Sequence, residues 1–200
     1  MIDYQHHIDH SMTYAHYRNL IETLLAQNQT TGTDQTQDLV DYAKLNAQRM
    51  KRWEKTATVK PAIQQLIETF QPSWHWLIIT EGWCGDAAQC LPMIEKIAHL
   101  APNISTHYVL RDENLPLIDA HLVRGGRSIP IVVVLDKKTL KVIGSWGPRP
   151  KACQKIMDDL TEQQASKAQK MEAIHGWYAE NKNEALQDEF EHLMEQWHKN

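Results

Sequence analysis

Apolar residues recur first at the spacing of helices and then, past residue 73, in short continuous runs. Residues 1–12 show neither pattern and are expected to form an irregular lead-in. Over 13–27, Tyr17, Leu20, Ile21, Leu24 and Leu25 predict an amphipathic helix. The stretch 28–37 (NQTTGTDQTQ) has no apolar residue and is expected to be an exposed loop. A second helix is predicted over 38–53, with Leu39, Tyr42, Ala43, Met50 and Trp53 near one face. Pro61 suits the first turn of a third helix, whose apolar stripe is Ile63, Leu66, Ile67 and Phe70 and which Pro72 ends.

The rest alternates. Strands are predicted at 74–81 and 106–111, helices at 85–100 and 115–122. The runs 131–136 (IVVVLD) and 141–146 (KVIGSW) are strands joined by a short turn, hence an antiparallel hairpin. One helix is predicted from 150 to about 180, with Cys153, Ile156, Met157 and Leu160 on one face. Asn183 would cap a last helix bearing Leu186, Phe190, Leu193, Met194 and Trp197. There are no internal repeats. The order predicts an α/β protein with a central mixed sheet and helices on both faces.

Composition narrows the function more than the fold. A net charge of -4 and a pI near 6.2 give no electrostatic reason to expect nucleic acid or an anionic membrane as partner. No apolar run approaches the length of a membrane span, and residues 1–17 lack the apolar centre of a secretory signal. Three cysteines make a disulfide framework an unsuitable reading and leave a reducing cytoplasm as the expected compartment. Nothing in the pattern asks for a cofactor or a metal, and the oligomeric state is left open.

The candidate chemistry lies in 83–92, Trp-Cys-Gly-Asp-Ala-Ala-Gln-Cys-Leu-Pro. Cys84 stands where a strand ends and a helix begins, beside unpaired N–H groups and the positive end of the helix dipole. Both favour the thiolate, which is the reactive species.

These residues resemble the thioredoxin family. There, Trp-Cys-Gly-Pro-Cys is followed by a proline eight residues after the first cysteine, as Pro92 follows Cys84. The resemblance extends to Ser128-Ile129-Pro130 ahead of a strand, and implies a cis proline facing the sulfur. The whole chain, including 46–52 (NAQRMKR), is similar to a bacterial subgroup of thioredoxin-like proteins with a Trp-Cys-Gly-Asp motif. The implied architecture is a thioredoxin-like three-layer fold over 60–164, with helical extensions at 1–59 and 165–200.

Several positions depart from that family. Ala87 stands where thioredoxins carry the resolving cysteine, and Ile78 where they carry a buried Asp that helps move its proton. The two losses agree, since a proton acceptor without a resolving thiol is a costly buried charge. Asp86 replaces the proline and sets a negative charge against the Cys84 thiolate, so the sign of the thiol's pKa shift is open. Cys90 is six residues on. An intact helix separates the two Cα atoms by about 9 Å, beyond the roughly 7 Å that a disulfide spans. It is therefore a resolving thiol only if the first turns unwind, and otherwise a small residue of an apolar face. Cys153, on a distant helix, reads as structural.

His6, His7, His10 and His16 read as a solvated polar segment without zinc-site spacing. Arg49, Lys51, Arg52 and Lys55 read as one turn of solvated helix. The run Arg124-Gly125-Gly126-Arg127 is expected near Pro130, where its arginines would favour a thiolate or an anionic thiol such as glutathione. Glu81 and Leu77 stand where peroxiredoxins place Thr or Ser and Pro, which argues against that class. The functional expectation is thiol–disulfide exchange by Cys84, a possible oxidoreductase acting as a monothiol, with Cys90 a conditional resolving thiol. Trp83, Gly85, Asp86, Ile129, Pro130 and Arg127 would line the site for a protein disulfide or a small thiol. The alternative is a non-catalytic thioredoxin-fold module whose groove around Trp83, Cys84 and Pro130 binds a partner protein.

Overall fold

The computed structural model describes residues 2–199. Its centre is a four-stranded sheet of β1 (Trp74–Thr80), β2 (Ile104–Leu110), β3 (Ile131–Asp136) and β4 (Val142–Trp146), in the order β2-β1-β3-β4. β1 pairs parallel with β2 and antiparallel with β3, and β3 pairs antiparallel with β4. The predicted mixed sheet and hairpin are therefore present. Successive residues of a strand face opposite sides of a sheet. Trp76, Leu77, Ile78 and Ile79 are all fully buried, so both faces of β1 are covered.

The covering helices are α2 (Tyr14–Ala26), α3 (Gln37–Thr56), α4 (Pro61–Phe70), α5 (Gly85–Leu100), α6 (Leu115–Asp119), α7 (Lys151–Glu162), α8 (Lys167–Asn181) and α9 (Glu184–His198). The α9 anchors are apolar: Phe190 meets Trp76 and Trp146 edge-on or tilted, and Trp197 meets Trp74 edge-on.

Four expectations need correction. Residues 1–12 are not wholly irregular, because α1 (Tyr4–Asp9) forms there, capped by the Asp3 carboxylate. It is held by His7 Nδ1 to Asn114 at 3.0 Å and Tyr4 to His121 at 2.9 Å, and Met12 pairs with Tyr108 of β2. The segment 28–37 is not simply exposed. Thr30 and Thr31 are buried, and the Thr31 hydroxyl accepts from the Gly82 N–H at 2.8 Å. The single helix over 150–180 is two helices. Gln164 turns left-handed (φ 55°), and Ser166 restarts the chain with a capping box to Gln169. Asn183 is the N-cap of α9 by position, yet it adopts φ 66° and its side chain makes no capping bond.

Candidate active site

Cys84 is the N-cap of α5, with extended backbone (φ -78°, ψ 115°). Its sulfur accepts from the Ala87 N–H at 3.5 Å and donates to the Ile129 carbonyl at 3.2 Å. The Ile129–Pro130 peptide is cis, as the family resemblance implied, so the proline segment faces the helix start. The approach to Cys84 is tied down on both sides. Gly82 donates to Thr31, and its carbonyl accepts from Asn46 Nδ2 at 3.2 Å. Arg49 in turn donates to Asn46 at 2.7 Å and lies over the Tyr42 ring. Of the predicted solvated cluster, Lys51, Arg52 and Lys55 are exposed, but Arg49 is a half-buried brace.

Cys84 is only 6% exposed. Burial pushes its pKa up to about 12, and the Asp86 charge pushes the same way. The N–H groups of Ala87 and Asp86 and the Arg149 guanidinium pull it down, but do not win. The question left open by the sequence thus resolves in favour of the neutral thiol.

Asp86 is buried and held from two directions. Arg149 reaches its Oδ2 through Nη2 at 2.6 Å and Nε at 3.0 Å, and the Tyr178 hydroxyl donates to Oδ1 at 2.8 Å. Burial still raises the Asp86 carboxyl above the usual range, because it outweighs these partners. Below Asp86, the Cys90 thiol donates to the same Tyr178 oxygen at 3.5 Å. Cys90 is fully buried and its pKa is raised by burial. Cys153 of α7 is not remote from this cluster. It is buried, also raised to about 12 by burial first, and within the field of Asp86 and Arg149. All three cysteines are free thiols.

The first turn of α5 is pressed by α8. A Cβ at Gly85 would lie 2.9 Å from His175 Cε1, so only glycine leaves room for that ring. Trp53 Nε1 donates to Gln89 Oε1 at 2.6 Å, which turns the Gln89 amide nitrogen toward His175 Nδ1 at 3.3 Å. Nδ1 then accepts, and Nε2 carries the proton to Tyr42 Oη at 2.8 Å. Burial, with Arg49 nearby, lowers the His175 pKa to about 4 and keeps the ring neutral.

A cleft of about 620 Å³ opens above Cys84, and Trp83, Gly85, Asp86, Ile129 and Arg127 contribute to its walls. Trp83 is partly buried, with the Arg111 guanidinium 4.7 Å over its ring. Arg127 lines the cleft but pairs with Asp119, and Arg124 instead pairs with Asp158. Glu81 lies fully buried one turn before Cys84. Its Oε1 accepts from the Asp112 N–H at 3.0 Å, and burial raises its carboxyl above the usual range. Sequence reasoning missed Arg149, Tyr178, His175 and Tyr42. The only local signal was the Gly147-Pro148-Arg149-Pro150 bracket ahead of α7, whose Gly147–Pro148 peptide is also cis.

A mixed sheet, a cysteine capping the helix after its first strand and a cis proline whose preceding carbonyl accepts from that sulfur define a thioredoxin-fold protein. The thioredoxin family model matches residues 32–165, more than half of the chain, and the chain belongs to that family. No curated protein matches it. Among solved structures it is similar to a Pseudomonas aeruginosa protein of unknown function, with a TM-score of 0.60 at 18% identity. That likeness covers 100% of this chain and 96% of the other. It is also similar to an HIV epitope-scaffold, with a TM-score of 0.53 at 18% identity, over 76% of this chain and 81% of that one. At such identity both likenesses show the fold alone. No helix among the described residues is long and apolar enough to cross a membrane.

Proposed function

We propose that the protein performs thiol–disulfide exchange through Cys84 alone. The observation that carries this reading is the Cys84 sulfur at the start of α5, 3.2 Å from the carbonyl of the residue preceding cis-Pro130. In the reaction the Cys84 thiolate attacks one sulfur of a disulfide. The S–S bond breaks, the departing thiolate takes up a proton, and Cys84 is left in a mixed disulfide. An external thiol then attacks the mixed disulfide and restores Cys84. Cys90 serves only if α5 unwinds, because six helical residues separate its Cα from that of Cys84 by about 9 Å, and Tyr178 holds its thiol in place. Sulfenic acid formation at Cys84, capped by a small thiol, is the oxidative branch of the same chemistry. A reducing compartment such as the cytoplasm would supply the external thiol.

A second reading has an observation in its favour. A thiol with a pKa of about 12 is thiolate in only about one molecule in 100,000 at pH 7. That suits a non-catalytic module whose groove at Trp83, Cys84 and Pro130 binds a partner. The two separate in one experiment: ping-pong reduction of a disulfide by the purified protein, with intact-mass detection of the Cys84 adduct. Exchange that is lost in Cys84→Ser supports the thiol reading. Equal turnover by Cys84→Ser, or no adduct under conditions that oxidise thioredoxin, would sink it.

A further inference from the structure

The cleft at Cys84 has the volume of a small-molecule site. It encloses about 620 Å³, within the usual range of pockets that bury most of a small ligand. Its lining includes Leu39 and Leu45 of α3, Met171 of α8 and Cys84 itself, a residue that is 6% exposed. A volume of that size matches a disulfide of amino-acid or short-peptide dimensions.

The rim carries charges of both signs. Asp38 and Asp41 come from α3, Arg127 from the loop before Pro130, and Lys167 from the first turn of α8. Asp41 is paired with Lys44, and Arg127 with Asp119. Asp38 and Lys167 have no ion pair or hydrogen bond among the described residues. An unmatched acid and an unmatched base on one cleft complement a ligand that carries both an ammonium and a carboxylate.

We infer that the cleft takes a zwitterionic disulfide of amino-acid or short-peptide size, its ammonium toward Asp38 and Asp41 and its carboxylate toward Lys167 and Arg127. This rests on the reading of Cys84 as an exchanging thiol. The step is balanced: the Cys84 thiolate displaces one half of the disulfide as a thiolate, which takes the proton Cys84 gave up.

The test is the rate of Cys84 adduct formation, followed by intact mass on the full chain. The probes are cystine, the neutral hydroxyethyl disulfide and the protein disulfides of insulin, each rate divided by that of the same probe with a free small thiol. Cystine is expected to exceed the neutral probe by about tenfold at low salt, an advantage that shrinks as salt is added. Asp38→Lys and Lys167→Glu should each narrow the cystine-to-neutral ratio. A ratio of one or less with adducts still forming overturns the inference and leaves the thiol reading intact, as does faster reaction with insulin. No adduct from any probe overturns both.

Discussion

Arg149 and Asp86 form a buried ion pair next to the Cys84 sulfur, with Nη2 2.6 Å from Oδ2 and both side chains less than one-sixth exposed. The carboxylate raises the Cys84 pKa and the guanidinium lowers it, so the pair sets the reactivity of a thiol that neither side chain hydrogen-bonds. Removing the two partners therefore has opposite effects. Asp86→Asn should lower the Cys84 pKa and speed its alkylation at fixed pH, read by iodoacetamide kinetics. Arg149→Met should slow alkylation and, by leaving a buried carboxylate unpaired, cost about 3–5 kcal/mol in urea denaturation. Faster alkylation in Arg149→Met would contradict this account.

The Cys84 titration also has a signature in stability. Its folded pKa, about 12, is raised above the ordinary thiol value of 9.0. A raised folded pKa contributes stability that is fully present below the unfolded value and is lost as pH rises through the folded one. The stability difference between wild type and Cys84→Ser should therefore be flat below about pH 9 and shift against wild type as pH rises toward 12. Denaturation curves across that window, with thiolate absorbance in parallel, provide the check. Thiolate absorbance from Cys84 at neutral pH would contradict it.

Acid should act through two half-buried imidazoles. His175 and His107 are lowered from 6.5 to about 4, by burial first in each case. His107 sits between His75 at 2.9 Å and the Ser11 hydroxyl at 3.0 Å. Depressed folded values contribute stability that is present above the unfolded pKa and disappears as pH falls through the folded one. Stability should thus fall between pH 6.5 and 4. His175→Gln should make that fall shallower, measured as the pH dependence of thermal midpoints. An unchanged slope would mean that His175 is protonated in the folded protein.

Gly144 of β4 is occupied territory. A Cβ there would meet the indole of Trp197, which packs α9 against the sheet. Gly144→Ala should destabilise by about 1–3 kcal/mol through overpacking. Gly176, where a Cβ meets nothing within 4 Å, is the control for added bulk on a helix. Gly176→Ala, within a helix interior, should be neutral or stabilising by up to about 1 kcal/mol.

How much of this was legible in the chain depended on sequence distance. Cys84 at a strand-to-helix junction and the Ile129-Pro130 pair were readable, because each is marked by residues next to it. The exposed reading of 28–37 failed because Thr31 is buried where its hydroxyl accepts from the Gly82 N–H, a partner 51 positions away. α1 was missed because six residues make a helix only when Asn114 and His121 hold it. The break at 163–166 is written in residues of adequate helix propensity, and only the Ser166–Gln169 box marks it. Asp86 gave no local hint of its partners, which lie 63 and 92 positions away.

The family match stops at residue 165, yet α8 begins at Lys167 and supplies Tyr178 and His175 to the site. The border of the family match and the border of the site do not coincide in this chain. A piece cut at the family border would keep the sheet, Cys84 and the cis proline. It would also admit water to the sulfur and to the Asp86–Arg149 pair, and so present a more acidic thiol than the whole protein does. The segment that the family match leaves out is, for the cysteine, a wall against solvent.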